Sequence, residues 1–279
     1  MMLSIVDFKA DNAAQEFVKS LHETGFGVLK NHPLQKDLLQ SIYDNWAGYF
    51  ASENKQDFHF NVDTQDGFFP DTVSETAKGH DKKDIKEYYH YYPWGQCPEE
   101  LREQIHAYYE QANELASTLL DWVEKHSPAD VAANYKTALS SMIKDSEQTL
   151  LRILHYPPIT GEEEAGAIRA AAHGDINLLT VLPAANQGGL QVQKKDGSWF
   201  DVPGDFGCLV VNIGDMLQEA SGGYFPSTIH RVINPEGADR SKSRISLPLF
   251  LHPRPDVVLS DRYTAGEYLD ERLRELGVK

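Results

Sequence analysis

From about residue 148 onward the chain is written as short strands closed by turn residues, and this pattern limits the fold more than any other feature. The run Leu150-Leu-Arg-Ile-Leu-His-Tyr156 stops at Pro157-Pro158. Gly189-Leu-Gln-Val-Gln193 alternates with period two, turns at Lys195-Asp-Gly-Ser198 and returns as Trp199-Phe-Asp-Val202, a hairpin signature. Cys208-Leu-Val-Val-Asn-Ile213 reads as a buried strand ending at Gly214-Asp215, and Thr228 to Val232 and Arg244 to His252 supply two more. Short strands with Gly, Pro and Asp turns point to a sandwich or jelly roll rather than a parallel βαβ sheet. Pro248 has no amide to give a ladder, so a bulge or an unpaired position is expected there.

The first half reads mostly helical. Ala10 to Glu23 sets Ala13, Phe17, Val18 and Leu21 on one stripe, with Gly25 as a C-cap. Phe26 to Lys30 is a short apolar run of strand type, closed by Asn31-His-Pro33. Leu34 to Phe50 again has helical spacing. The clearest helix is Pro98 to Lys125, where Leu101, Ile105, Tyr108, Ala112, Leu115, Leu119 and Trp122 step by four and three. Residues 51–97 are polar and aromatic-rich and read as loop and short strands. The tail, Tyr263 to Leu276, reads as a charged helix. With no repeat or Ser/Gly linker, one domain over 1–279 is expected: a mostly helical portion 1–147, a β core 148–260 and a C-terminal helix 261–279.

Charge narrows the partners. With 26 Lys+Arg against 42 Asp+Glu the net charge is −16, which argues against nucleic acid and against an anionic membrane surface. There is no apolar run long enough for a transmembrane helix. Asp7 and Asp11 stand where a signal peptide would carry its basic and apolar regions, and two cysteines are too few for a disulfide framework, so a cytoplasmic location is expected.

The residues that suggest chemistry are His173-Gly-Asp175, then His230, then Arg244-Ile-Ser246. In an extended strand His173 and Asp175 point the same way, and so do Arg244 and Ser246. Two imidazoles and a carboxylate make a three-ligand face on a metal and leave other positions open, as in non-haem Fe(II) oxygenases. Taken singly, a His-x-Asp is common by chance; Asp175 would serve equally to cap a turn, and His230 to hydrogen-bond on a strand.

The order and surroundings of these residues resemble the iron(II)/2-oxoglutarate-dependent dioxygenase superfamily, in its isopenicillin N synthase-like (iron/ascorbate oxidoreductase) branch, bacterial type. The resemblance runs through Leu151-Arg-Ile-Leu-His-Tyr-Pro-Pro158, Ala172-His-Gly-Asp-Ile-Asn-Leu-Leu-Thr180 and Gly188-Gly-Leu-Gln-Val192. It continues with Trp199, Val211-Asn-Ile-Gly-Asp-Met-Leu-Gln218, Ser227-Thr-Ile-His-Arg-Val232 and Arg244-Ile-Ser-Leu-Pro-Leu-Phe-Leu-His-Pro253. Thr24-Gly-Phe-Gly-Val-Leu-Lys-Asn-His32 resembles the start of the same family, and residues 51–147 are the least typical.

The resemblance implies a mainly β fold with flanking helices, built on a double-stranded β-helix (jelly-roll) core. It implies His173, Asp175 and His230 as ligands of Fe(II), and Arg244 and Ser246 as the pair that holds the far carboxylate of 2-oxoglutarate, with Tyr156 adding a hydrogen bond. Asn212 and Gln218 are candidate supporting residues. The implied reaction takes O2 and 2-oxoglutarate to succinate and CO2 and oxidises a C–H bond of a small-molecule substrate. Asp175 argues for oxygenation, since related halogenases lack that carboxylate. The spacing from His230 to Arg244 is longer than in plant members, and Arg240 in the intervening turn competes for the anion role; the strand alternation favours Arg244.

Two alternatives stay open on the sequence. A 2-oxoglutarate-independent oxidase of the isopenicillin N synthase type, drawing electrons from substrate or from ascorbate as reductant, would keep the same residues. A cupin-like metal-dependent isomerase or binding protein is more remote, because cupins usually carry a His-x-His pair that this chain lacks. Of the other histidines, His22, His59, His80, His106 and His126 read as solvated, and His32 and His252 as turn residues before proline. His90, in the run Tyr88 to Tyr92, and Phe68-Phe69 are the best candidates for substrate contacts.

Overall fold

The structure, a computed structural model, describes residues 3–73, 82–185 and 187–275. His80 and the far end of the tail, Leu276 included, lie outside the described residues. The chain opens with strand β1 (Ile5–Asp7), helix α1 (Ala13–Thr24), β2 (Phe26–Lys30) and α2 (Lys36–Ala51). Next come β3 (Gly67–Phe69), β4 (Glu87–Tyr91), α3 (Glu99–Lys125), α4 (Ala129–Ala132) and α5 (Leu139–Ile143). The β-rich half holds β5 (Leu150–Tyr156), β6 (Ala170–His173), β7 (Leu179–Pro183), β8 (Leu190–Gln193), β9 (Trp199–Asp201) and β10 (Leu209–Ile213). After α6 (Asp215–Ala220) follow β11 (His230–Val232), β12 (Arg244–Ser246), β13 (Leu249–Leu251) and α7 (Ala265–Glu275).

The strands form two sheets. The larger runs β1-β2-β10-β7-β13-β5-β4-β3, with β12 also paired to β5; the smaller runs β6-β11-β8-β9. Alternation along each strand then sorts the side chains. On the large sheet Tyr89, Tyr91, Leu151, Ile153, Leu249, Val181, Val211 and Leu29 face the helices and join one core with Phe17, Ile105 and Leu119. Their neighbours Tyr88, Leu154 and Tyr156 turn to the opposite face and meet Ala170 and Val232 of the small sheet. Phe26, Val28 and Val210 do the same against Val192. The space between the sheets is thus apolar at two points, and the polar residues of the site lie between them.

The helices dock through the expected stripes. Ala13, Phe17, Val18 and Leu21 are all buried on α1, and Gly25 closes it at φ 74° with its amide donating to Leu21 O. A Cβ at Gly25 would stand 2.3 Å from Thr228 Oγ1, so this cap also seats the segment that leads into β11. On α3, Trp122 is only partly buried and stacks on Phe8, while Leu120 and Val123 go deep. Truncating a fully enclosed residue such as Leu119 to Ala costs about 2–5 kcal/mol. Tyr108 Oη donates to Leu247 O at 3.1 Å and ties α3 to the link between β12 and β13.

At Pro248 there is no bulge. The pairing of β12 with β5 and of β13 with β5 keeps one register, and Arg152 N–H donates to Pro248 O at 3.0 Å. Proline has no proton for the return bond, which is the unpaired position the sequence allows. The helix α6 escapes the sequence reading because six residues are too short to show a period.

Candidate active site

β6 ends at His173, and Asp175 lies beyond it in a loop rather than on the strand. The start of α6 holds that loop: Asp215 N–H donates to Asp175 O at 2.7 Å and Met216 N–H to Ile176 O at 3.1 Å. Gly214 permits the close approach, since a Cβ there would stand 2.1 Å from Asn177 O. β11 opens with His230 directly opposite His173 in the antiparallel register.

These placements bring one ligand atom from each of His173, Asp175 and His230 within 4.8 Å of the others. Asp175 Oδ1 stands 4.0 Å from His173 Nε2 and 3.7 Å from His230 Nε2. His173 Nδ1 bonds Ala171 O at 2.7 Å, and His230 Nδ1 bonds Thr228 O at 3.1 Å. A carbonyl only accepts, so each ring carries its proton on Nδ1 and turns the Nε2 lone pair to the common centre. Two neutral imidazoles and a carboxylate suit a divalent transition metal, and the contacts on the far nitrogens fix the aim of the ligands.

The charges agree with that donor set. Burial, then the neighbouring His230, hold the His173 imidazole below its ordinary pKa. Burial alone would push the Asp175 carboxyl up; His230, His173 and hydrogen bonds from Asn212 and Thr180 outweigh it and hold it down. Asn212 Nδ2 and Thr180 Oγ1 both donate to Asp175 Oδ2, at 2.8 and 2.5 Å. Asn212 therefore supports the cluster directly. Gln218 instead accepts from Ser227 N–H at 2.8 Å and anchors the segment whose Thr228 carbonyl orients His230. Nothing in the sequence singles out Thr180; the register that sets it opposite Asn212 brings it in.

Arg244 and Ser246 sit on β12 opposite Tyr156 and Leu154 of β5, and both are buried. The guanidinium lies 5.2 Å from the Tyr156 ring centre and hydrogen-bonds that side chain. Among the described residues its Nε and Nη1 find no partner, and burial holds its pKa below the usual value. Idle charged donors beside a buried hydroxyl are suited to a carboxylate taken from outside the chain. Arg240, the rival for this role, is exposed on the turn before Lys242.

A further wall adjoins the cluster. The aromatic run divides by strand alternation: Tyr89, Tyr91 and Phe68 enter the helix-side core, while Tyr88, His90 and Phe69 pack together on the inter-sheet face. Arg152 donates from Nε to His90 Nε2 at 2.8 Å and lies over Tyr88 and Phe250. His252 belongs with them and not only with a turn. Its carbonyl accepts from Ser146, but its imidazole feels both Asp175 and Arg152, and burial pushes its pKa down to about 4. His155 faces the other way, on Glu87 at 2.8 Å and stacked on Phe50.

A jelly-roll core with two histidines and one carboxylate converging between its sheets defines a metal-dependent oxygenase class. Residues 147–253 match the 2OG-Fe(II) oxygenase superfamily, and residues 3–116 match the family described as non-haem dioxygenase in morphine synthesis N-terminal. The solved structure of a candidate oxygenase from Shewanella oneidensis is 63% identical, with 100% of both chains covered and a TM-score of 0.92. A candidate 2OG-Fe(II) oxygenase family protein of Caulobacter crescentus is 32% identical, covering 98% of this chain and 99% of that one, with a TM-score of 0.82. Among curated relatives, 2-oxoglutarate-dependent dioxygenase 11 of Oryza sativa subsp. japonica is 29% identical over 97% of this chain and 80% of its own length.

The chain belongs to the 2OG-Fe(II) oxygenase superfamily. It is an Fe(II)- and 2-oxoglutarate-dependent dioxygenase using O2. No helix among the described residues is long and apolar enough to cross a membrane.

Proposed function

We propose that His173, Asp175 and His230 hold the Fe(II), that Arg244, Ser246 and Tyr156 hold the distal carboxylate of 2-oxoglutarate, and that a small organic substrate is oxidised beside them. The observation that carries this reading is the pairing of the converging Nε2, Nε2 and Oδ1 atoms with a buried guanidinium whose Nε and Nη1 have no partner among the described residues. Bound Fe(II), with O2 and 2-oxoglutarate, supplies the oxidising power for a substrate C–H bond while the cosubstrate leaves as succinate and CO2.

The chain's own residues do the rest. Asn212 and Thr180 occupy Asp175 Oδ2 and leave Oδ1 as the ligand oxygen. Ala171 O and Thr228 O keep both imidazoles in the tautomer that binds metal. Arg244 and Ser246 fix the far end of the dicarboxylate and so orient its keto acid end toward the triad. The wall of Tyr88, His90, Arg152 and His252 is the substrate side. We also read the chain as one dioxygenase domain, because β1 to β4 of the N-terminal portion share the large sheet with the later strands.

The test is succinate release in a screen of small organic substrates. Release that requires both Fe(II) and 2-oxoglutarate and falls to background in Arg244→Gln supports the assignment; substrate oxidation that proceeds without 2-oxoglutarate overturns it.

A further inference from the structure

A second arginine, Arg169, is buried as Arg244 is, with no exposed surface. It precedes β6, and its side chain reaches the same end of the inter-sheet space. Its guanidinium lies 5.8 Å from the Tyr156 ring centre, while that of Arg244 lies 5.2 Å from the same ring. Arg169 Nη1 donates to Gln187 Oε1 at 2.9 Å, Nη2 donates to Lys242 O at 3.1 Å, and Nε has no partner among the described residues.

Every acceptor in that set is neutral. Among the described residues no carboxylate forms an ion pair with Arg169 or with Arg244. Two enclosed cations that share one tyrosine ring repel each other, and burial together with the nearby Arg244 lowers the Arg169 pKa to about 10. A buried charge without a counter-ion is costly, and one beside a like charge more so. Packing alone gives no reason to keep it, since a neutral side chain would fill the space without that cost. An anion from outside the chain removes both penalties at once.

We propose that Arg169 is a second cationic determinant for 2-oxoglutarate, a positioning residue that acts on the distal carboxylate through Tyr156 and through its field. The proposal rests on the reading that Arg244 and Ser246 hold that carboxylate. It also explains how a chain of net charge −16 attracts a dianion: two buried guanidiniums concentrate positive potential at one end of the space between the sheets.

The experiment measures the dissociation constant of 2-oxoglutarate for the anaerobic Fe(II)-loaded protein by calorimetry, with 2-oxobutyrate, which lacks the distal carboxylate, measured in parallel. Arg169→Gln is expected to weaken 2-oxoglutarate by about tenfold, to leave 2-oxobutyrate within about twofold, and Arg169→Lys to recover most of the loss. Equal weakening of both keto acids means a structural role only and overturns the proposal, as does an unchanged affinity for 2-oxoglutarate. If Arg169→Gln does not fold, Gln187→Leu, which frees one arm of Arg169, replaces it; the expected loss is about threefold for 2-oxoglutarate alone, and no loss overturns the proposal. Failure of the wild-type protein to bind 2-oxoglutarate would instead strike the functional reading beneath it.

Discussion

Asn212 Nδ2 donates to Asp175 Oδ2 at 2.8 Å, on the side of the carboxylate that faces away from His173 and His230. Thr180 Oγ1 takes the same oxygen, so one carboxylate oxygen is saturated and the other stands toward the two imidazoles, where we propose the metal binds. Removing these donors frees the carboxylate to rotate. Asn212→Leu and Thr180→Val are each expected to lower Fe(II) affinity by about 10- to 100-fold while the fold persists. Anaerobic metal titration alongside circular dichroism checks both halves of that statement.

Arg244 presents a planar fork, and a lysine would offer only a point charge on a flexible stem. Arg244→Lys should therefore raise the KM for 2-oxoglutarate by about tenfold or more. Fe(II) uptake should stay near wild type, because the proposed ligands lie on β6, on the loop after it and on β11, not on β12. A KM that does not move in steady-state succinate assays would argue that another group holds the cosubstrate.

Arg152 donates to His90 and lies over Tyr88 and Phe250, on the wall we propose as the substrate side. In Arg152→Leu, substrate-stimulated succinate release with the hits of a wild-type screen should fall about tenfold. Any 2-oxoglutarate turnover measured without substrate should not change. Loss of both activities together would point to damage at the metal or cosubstrate instead.

His252 makes a stability prediction with a definite sign. Its pKa is about 4 in the folded chain against the ordinary 6.5, so below 6.5 the unfolded chain binds the proton first. The contribution of the neutral ring is complete above pH 6.5 and is lost as pH falls toward 4. Comparing melting temperatures of the wild type and His252→Gln between those limits isolates it. The wild type should lose on the order of 2–3 kcal/mol that the variant does not lose. Parallel curves would show that His252 is not held neutral by burial.

Much of this was legible in one sequence where local rules suffice. Phe17, Val18 and Leu21 with Gly25 after them specify a capped amphipathic helix without tertiary help, and the turn at Lys195 to Ser198 specifies a hairpin. That His173, Asp175 and His230 come together was legible through residue order, even though Asp175 leaves the strand that alternation assumes. Thr180, Arg169 and His252 were not legible. Each matters through a partner distant in sequence, reached only by strand register or by closure of the sheets. The run Tyr88 to Tyr92 was half legible: alternation says its rings divide, but only the helices packed on one face decide which half meets the site.

The most direct measurement is iron uptake by anaerobically purified protein, wild type against the paired change His173→Ala and Asp175→Ala. The wild-type chain is expected to bind one Fe(II) tightly and the double variant none, with both proteins folded. Equal iron uptake by the two proteins would contradict it.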